Sequence, residues 1–275
     1  MRNFICAAVL CAVAVPAWAG QVIDTPVLAS VNNFRDVAGV GAGFGGTGQA
    51  DAAGGGALRV GQVYRANALT LSPADMAIVQ KLGITEIIDL RTPFETKQHP
   101  DTVPPGAAYV DVNIFGTESV PFTPVANATA AAAEIEGYYR GFVTNAGERQ
   151  GFRNAVLAVA NAKGPVLFHC SVGKDRSGWL AAILQSIAGV SQADIMNDYL
   201  ASNVYTAAST KAMLAKLPVA QRAVYAPLTS VQPQYIDTSF DAAAQGYGGM
   251  DGYITKGLGL TPDELAAVRR KLISN

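Results

Sequence analysis

The stretch from residue 169 to 178, His-Cys-Ser-Val-Gly-Lys-Asp-Arg-Ser-Gly, constrains this chain most, because it places a thiol, a glycine and an arginine within one short loop. Residues 165–168 before it have the apolar character of a buried strand, and residues 179–187 after it that of a buried helix. The loop is therefore predicted to connect the end of a strand to the start of a helix. Free backbone N–H groups converge at such a junction and the helix dipole adds to them, so we expect an anion there.

The residue types in this loop suit attack on a phosphate ester. Cys170 would lie in the positive field of the helix start, which favours a reactive thiolate. Arg176, six positions later, carries a planar guanidinium that can bind two phosphate oxygens at once. Gly173 permits a turn with its amides facing inward, and Ser177 can donate a hydrogen bond to the thiolate. An inert buried cysteine and a persulfide-carrying sulfurtransferase loop are the alternatives, but the Arg-Ser-Gly sequence favours phosphate.

The N-terminus has the three regions of a secretory signal. Arg2 precedes an apolar run over residues 4–15, and a small-residue cleavage site ends at Ala19. We expect cleavage near Ala19, which divides the chain into a signal peptide (1–19) and a single catalytic domain (20–275), periplasmic or secreted. An uncleaved anchor is the alternative, but a membrane span needs roughly 20 apolar residues, more than this run supplies. No transmembrane span is expected in the mature chain.

Cysteine usage and charge exclude several functional classes. Cys6 and Cys11 lie inside the predicted signal, so the mature chain keeps Cys170 alone, which favours catalysis over a disulfide framework. The two histidines, His99 and His169, belong to no cluster with metal-ligand spacing, so no metal and no other cofactor is expected. Cleavage of the signal removes Arg2, so the mature chain keeps 19 of the 20 basic residues and all 21 acidic ones. This balance gives no indication of nucleic-acid binding.

Helix and strand patterns alternate along the rest of the chain. Ser72-Pro73 has the residues of a helix start, and residues 84–90 and 109–112 have the pattern of strands. Half of the residues are hydrophobic and 15% are charged, which suits one α/β domain with a central sheet flanked by helices. Further helices are predicted over residues 192–200, 207–216 and 262–273.

Two stretches have an irregular composition. Residues 41–56 are rich in glycine and alanine and are predicted to form a flexible hairpin loop. Residues 115–136 are rich in proline, threonine and alanine. Two interpretations stay open for that second stretch, a mobile cover over the site or a surface excursion.

The loop resembles the signature of the cysteine-dependent protein tyrosine phosphatases, and its Gly-Lys-Asp-Arg interior is similar to an atypical bacterial branch that acts on phosphotyrosine and phosphoinositides. The resemblance implies a phosphatase-like α/β fold and hydrolysis of phosphomonoesters through a phosphocysteine on Cys170. Implied substrates are phosphorylated proteins, phosphoinositides or inositol phosphates. Further segments similar to that family are Asn33-Phe34-Arg35-Asp36, Val63-Tyr64-Arg65-Ala66, Ile88-Asp89-Leu90-Arg91, Asp198-Tyr199-Leu200-Ala201-Ser202-Asn203 and residues 247–260.

The general acid is left open between two aspartates, because the chain shows no Trp-Pro-Asp segment like that of ordinary tyrosine phosphatases. Asp175 is the first choice, since it lies inside the loop beside the expected phosphate, as the atypical branch implies. Its alternative role is an ion pair with Arg176 or Lys174. Asp89, at the end of a predicted strand, is the second choice, and its alternative role is an ion pair with Arg91 in the Asp-x-Arg sequence.

The other site residues are expected to bind substrate or to support the loop. His169 would orient the loop, and Arg35 and Asp36 would brace it. Lys174 would bind further phosphate groups or lie solvated at the rim. The expected substrate-binding residues are Ser171, Val172, Gly173, Lys174 and Ser177.

Two other functions compete with a tyrosine phosphatase. One is an inositol polyphosphate phosphatase on the same chemistry, which a substrate panel would separate. The other is a noncatalytic module that binds phosphorylated ligands without turnover, against which the intact Cys170, Asp175 and Arg176 argue. The sequence indicates no oligomeric state.

Overall fold

The computed structural model describes residues 23, 25–41, 44, 46 and 48–274. The predicted signal peptide, residues 1–19, lies outside these ranges. Within them, no helix combines the length and the apolar character that a membrane crossing requires.

Short strands and longer helices alternate along the described chain. The strands are β1 (Arg35–Asp36), β2 (Gly39–Val40), β3 (Gly48–Gln49), β4 (Ala57–Leu58), β5 (Val63–Ala66), β6 (Glu86–Asp89), β7 (Ala108–Asp111), β8 (Val166–His169) and β9 (Ile273–Ser274). The helices are α1 (Pro73–Lys81), α2 (Pro93–Gln98), α3 (Ala128–Thr144), α4 (Ala146–Asn161), α5 (Arg176–Ala188), α6 (Gln192–Tyr205), α7 (Ala207–Ala215), α8 (Val219–Thr229), α9 (Pro233–Tyr247), α10 (Met250–Gly252) and α11 (Pro262–Leu272).

The central sheet has five strands in the spatial order β1-β5-β8-β6-β7. β1 is antiparallel to β5, and all other neighbours are parallel. His169, the last residue of β8, pairs in register with Ala66 of β5 and with Asp89 of β6. The carboxyl ends of these three parallel strands therefore meet at one edge of the sheet, which is where ligand crevices form in open α/β folds.

Apolar side chains cover both faces of this sheet. Within β8, Leu167 and Phe168 are fully buried and lie in two different apolar clusters, because successive side chains of a strand point to opposite faces. The cluster around Phe168 includes Trp179 of α5, and the one around Leu167 includes Val79 of α1. Burial on both faces explains why the sequence before the loop is continuously apolar. The predicted α/β class, a sheet flanked by helices, is confirmed.

The predicted local structure is mostly confirmed. Helix α1 begins after Ser72, whose hydroxyl accepts a hydrogen bond from the Asp75 N–H at 3.1 Å. In the described part of the glycine-rich stretch 41–56, Gly48–Gln49 pairs antiparallel with Gly39–Val40.

The second half of the stretch 115–136 is a correction to the sequence prediction. Helix α3 begins there at Ala128, where irregular structure was expected. Its alanine-rich sequence has a high helix propensity, and Asn127 caps it by accepting a hydrogen bond from the Ala130 N–H at 2.9 Å. Because prolines and threonines precede this cap, the composition of the whole stretch did not indicate a helix.

Candidate active site

The loop between β8 and α5 lies at the carboxyl edge of the sheet. It follows His169 and ends where α5 begins at Arg176, which confirms its predicted place between a strand and a helix. Gly173 within it has a φ of 73°, and a Cβ there would lie 2.2 Å from the carbonyl oxygen of Ala66. Only glycine fits, because the left-handed backbone and the close approach to β5 both exclude a side chain.

Cys170 and Ser177 are both buried around the start of α5. Among the residues that the structure describes, the Ser177 hydroxyl has no hydrogen-bond partner. Asp175 stands at the N-cap position of α5, but its side chain makes no capping hydrogen bond. A buried hydroxyl is rarely left unpaired, so this donor and the first N–H groups of α5 are available to a bound anion.

Arg176 is held by a carboxylate that sequence reasoning missed. Its Nη2 lies 2.6 Å from Glu95 Oε1 and its Nη1 lies 2.8 Å from Glu95 Oε2. The ring of Phe115 lies against the other side, 5.1 Å from the guanidinium carbon. Burial alone would raise the pKa of Glu95, but its hydrogen bonds to Arg176 and the arginine charge lower that pKa to about 2. Glu95 is therefore ionised and orients the guanidinium.

Glu95 is itself fixed by the start of α2 and by the loop. Its Oε2 accepts hydrogen bonds from the N–H and the hydroxyl of Thr92, both at 2.9 Å, in a capping box. Its Oε1 accepts a further hydrogen bond from the hydroxyl of Ser171. The Thr-x-x-Glu sequence was a readable signal for the helix start, but nothing local indicated a contact with the loop.

Asp175 and Lys174 form an ion pair within the loop. The Lys174 Nζ lies 3.0 and 2.8 Å from the two carboxylate oxygens of Asp175. Lys174 is only 2% exposed, so the expectation of a solvated lysine at the rim is wrong. The Asp175 side chain is 22% exposed, and its Oδ1 also accepts a hydrogen bond from the Tyr139 hydroxyl at 3.2 Å. Asp175 thus contacts both the solvent and the protein interior.

Asp89, the second candidate for the acid, lies in a closed ion pair. Its carboxylate accepts hydrogen bonds from Arg91 at 2.8 to 3.1 Å and from the Tyr109 hydroxyl at 2.5 Å. Burial alone would raise the pKa of Asp89, but the bonds to Arg91 and the charge of His169 lower it to about 2. These bonds stabilise the ionised form of Asp89, which favours the ion-pair role over the acid role.

His169 completes the same cluster. Its Nε2 lies 3.0 Å from Asp101 Oδ2, and Arg91 Nη2 lies 2.8 Å from one oxygen of each aspartate, Asp89 and Asp101. Asp89, Asp101 and His169 thus offer ligand atoms within 4.8 Å of one another, a grouping that their spacing in the sequence concealed. The guanidinium of Arg91 already supplies the positive charge between the two carboxylates. The expected role of His169 in orienting the loop stays a prediction.

A buried ion-pair network supports the loop from the other side. Asp198 on α6 pairs with Arg35 at 2.8 Å and with Arg65 at 2.7 Å. The Nη2 of Arg65 and the Nδ2 of Asn33 each donate to the carbonyl oxygen of Gly173 at 2.8 Å. The loop's sharpest turn is therefore fixed by two donors, one of which an aspartate on α6 holds in place. Arg35 is connected to the loop through Asn33, whose Oδ1 accepts a hydrogen bond from Arg35 Nη1.

Asp36 does not reach the loop. Its carboxylate accepts hydrogen bonds from the N–H groups of Ala38, at 2.8 Å, and Gly61, at 2.5 Å. Burial raises the pKa of Asp36 to about 6, against the effect of these two bonds. Asp36 therefore stabilises the turns beside β1, whereas its neighbour Arg35 faces the opposite direction, toward α6.

A pocket of about 270 Å³ opens beside the loop. Ser171, Val172 and Lys174 line one side of it. Side chains of α7 and α8, among them Met213 and Leu228, line the opposite side, and the lining is mainly apolar. The leaving group of a phosphate ester bound in the loop could contact this apolar surface.

The sequence profile of the tyrosine phosphatase family matches residues 26–274 of this chain. A Cupriavidus necator protein, assigned provisionally to the tyrosine-protein phosphatases, is 29% identical over 238 residues, which cover 83% of this chain and 82% of that protein. The triple specificity protein phosphatase PtpB of Mycobacterium tuberculosis is 29% identical over 201 residues, which cover 62% of this chain and 66% of that protein.

Among solved structures, the core catalytic domain of the PP-IP phosphatase SIW14 from S. cerevisiae is similar at 17% identity and a TM-score of 0.31. The match covers 56% of this chain and 86% of that chain. The family profile spans every strand of the central sheet, the loop and the helices around it. The chain therefore belongs to the tyrosine phosphatase family and is a phosphoric monoester hydrolase.

Proposed function

We propose that this phosphatase hydrolyses phosphomonoesters in two displacements at Cys170. In the first, the thiolate sulfur attacks phosphorus, the bond from phosphorus to the ester oxygen breaks, and that oxygen takes a proton from Asp175. In the second, water attacks the phosphocysteine, gives a proton to Asp175, and inorganic phosphate leaves as the S–P bond breaks. The observation that carries the proposal is the buried Cys170, which interacts electrostatically with Arg176, beside a Ser177 hydroxyl that has no hydrogen-bond partner among the described residues.

The surroundings suit the charge that moves during these steps. The N–H groups of the first turn of α5 and the guanidinium of Arg176 would stabilise the phosphoryl oxygens, because both are fixed before substrate arrives. Ser177 would donate to the thiolate as it leaves in the second displacement.

We infer that phosphotyrosine in proteins is the preferred substrate. The pocket beside the loop presents Val172, Met213 and Leu228, which suit an aromatic leaving group. Among the described residues that line it, the one cation is Lys174, which is already paired with Asp175. An inositol polyphosphate would need several free cations there, so the pocket favours the aryl ester. The name of the Cupriavidus necator relative, a tyrosine-protein phosphatase, points in the same direction.

A phosphate-release panel tests this function. It compares a phosphotyrosine peptide, a phosphoserine peptide, a phosphoinositide and an inositol hexakisphosphate, each with the wild type and with Cys170→Ser. We expect the phosphotyrosine peptide to have the highest kcat/KM and the serine variant to release no phosphate, because a hydroxyl is not ionised at neutral pH. Preference for the inositol phosphate would overturn the substrate assignment. Equal release by Cys170→Ser would overturn the mechanism.

We also propose that the enzyme acts after export. Support comes from the charged residue Arg2, the apolar run over residues 4–15 and the small residues before position 20. Expression of the full chain with a C-terminal tag in a bacterial host, followed by N-terminal sequencing of the periplasmic fraction, tests the proposal. A mature chain that starts at Gly20 supports it, and an unprocessed chain confined to the cytoplasm contradicts it.

A further inference from the structure

Tyr139 connects the proposed acid to the protein interior. It lies on α3, is fully buried, and its hydroxyl is 3.2 Å from Asp175 Oδ1 and 2.8 Å from the hydroxyl of Tyr199. A tyrosine hydroxyl has one hydrogen, so it can donate to Asp175 or to Tyr199 but not to both at once. Two acceptors within reach of one buried donor allow two arrangements of the same chain of bonds.

The two arrangements match the two charge states that Asp175 must adopt. When Asp175 is ionised, its carboxylate is the stronger acceptor, and Tyr139 donates to it. When Asp175 carries the proton, Tyr139 can turn its hydrogen to Tyr199 without leaving a buried polar group unpaired. Burial raises the pKa of Tyr139 well above its ordinary value, so the hydroxyl keeps its own hydrogen in both states.

We propose that Tyr139 is a positioning residue whose hydroxyl stabilises the negative charge that forms on Asp175 as that residue gives its proton to the leaving group. The proposal rests on the proposed function. The hydrogen bond from Tyr139 to Asp175 would strengthen as negative charge forms on Asp175 during the first displacement. A bond that strengthens in the transition state accelerates the chemical step more than it aids binding.

Packing accounts for the ring of Tyr139 but not for its hydroxyl. The ring contacts the rings of Phe142, at 5.2 Å between centroids, and Tyr235, at 6.3 Å. Ser239 on α9 donates a hydrogen bond to the Tyr139 carbonyl at 2.6 Å, which fixes the backbone independently of the side chain. Phenylalanine would keep all of these contacts. Tyr139→Phe therefore isolates the contribution of the hydroxyl.

The titratable and charged groups near Asp175 come from four elements and the loop. They are Lys174 in the loop, Arg176 on α5, Tyr138 and Tyr139 on α3, Tyr199 on α6 and Tyr235 on α9. Of these, Lys174 and Tyr139 donate hydrogen bonds to the carboxylate, at 2.8 to 3.2 Å. Lys174 provides charge, and Tyr139 provides a neutral donor whose direction can reverse.

The test compares Tyr139→Phe with the wild type on phosphotyrosine, a poor leaving group, and on p-nitrophenyl phosphate, an activated one. We expect kcat on phosphotyrosine to fall about tenfold, a fraction of the ~10²- to 10⁴-fold supplied by general acid catalysis. On the activated ester kcat should change by less than about threefold, since its leaving group needs little protonation. KM should stay unchanged on both. In Tyr139→Phe, the fall of kcat on the basic side of the pH profile should begin at a higher pH than in the wild type.

Two further variants make the outcome decisive. Tyr235→Phe is the matched control, because its hydroxyl bonds to the Pro227 carbonyl at 3.3 Å and not to Asp175, and we expect wild-type rates. Tyr199→Phe removes the second acceptor but leaves the Tyr139 donor to Asp175 in place, so its kcat on phosphotyrosine should stay above that of Tyr139→Phe. Wild-type kinetics in Tyr139→Phe, or equal losses on both substrates, would overturn the proposal. Failure of the wild type to hydrolyse either ester would instead overturn the proposed function.

Discussion

Both carboxylate oxygens of Glu95 contact the terminal nitrogens of Arg176, at 2.6 and 2.8 Å. The pair joins the start of α2 to the start of α5, and both side chains are mostly buried. The guanidinium can therefore bind phosphate in one orientation only, because the side of it that faces Glu95 is already occupied. This relationship leads to the first prediction.

We expect Glu95→Gln to lower kcat/KM for a phosphotyrosine peptide by about 10- to 100-fold, because a misplaced guanidinium no longer meets the phosphoryl oxygens. The affinity for vanadate, measured by titration, should fall in parallel. Lys97→Gln on the same helix is the control, since it changes charge at an exposed position. Wild-type kcat/KM in Glu95→Gln would show that Arg176 needs no such partner.

Asp175 and Asp89 can be separated by their response to the leaving group. Asp175→Asn should slow phosphotyrosine hydrolysis by roughly 10²- to 10⁴-fold and an activated aryl ester much less, the pattern of a lost general acid. Asp89→Asn should reduce both rates alike, because it breaks the ion pair with Arg91. A selective loss in Asp89→Asn, with equal losses in Asp175→Asn, would transfer the acid role to Asp89.

Asp198→Asn tests the network beneath the loop. The substitution leaves Arg35 and Arg65, both fully buried, without their shared counter-charge. Breaking a buried pair of this kind costs about 3–5 kcal/mol of unfolding free energy, which urea denaturation measures. The exposed Asp251→Asn serves as the control and should change stability by less than ~0.5 kcal/mol. A similar small effect in Asp198→Asn would refute the bracing role.

Glu148 makes stability depend on pH. Burial raises its pKa from 4.5 to about 7, and its Oε2 has no hydrogen-bond partner among the described residues. The folded state therefore disfavours the ionised form, so stability falls as pH rises from about 4.5 through 7 and then levels off. The free energy of unfolding of Glu148→Gln, relative to that of wild type, should be about 1–3 kcal/mol higher at pH 8 than at pH 4.5. Urea denaturation at the two pH values measures this difference. Parallel pH curves for the two proteins would contradict this.

The loop could be predicted from sequence because its determinants are local. The apolar run before Cys170, the turn at Gly173 and the buried helix after Arg176 lie within a few residues of one another. Ser72 likewise predicted the start of α1, because a cap acts on N–H groups only three residues away. In each case the residues that interact are neighbours in the chain.

The supporting residues could not be predicted because their partners are distant in the chain. Glu95 lies 81 residues before Arg176, and Arg35 lies 163 residues before Asp198. Only the order of the strands and the placement of α2 and α6 bring them together. The sequence likewise left Asp89 and Asp175 as rival acids, because the Tyr139 hydroxyl that donates to Asp175 lies on a helix 36 residues away in the chain.

Trapping of the phosphoenzyme tests the central claim most directly. Wild-type protein is mixed with a phosphotyrosine peptide, quenched in acid within milliseconds, digested and analysed by mass spectrometry. We expect phosphate on the peptide that contains Cys170, in an amount close to one per enzyme during the first turnover, and none in Cys170→Ser. Rapid turnover with no phosphate on Cys170, or with phosphate on another residue, would contradict the proposed mechanism.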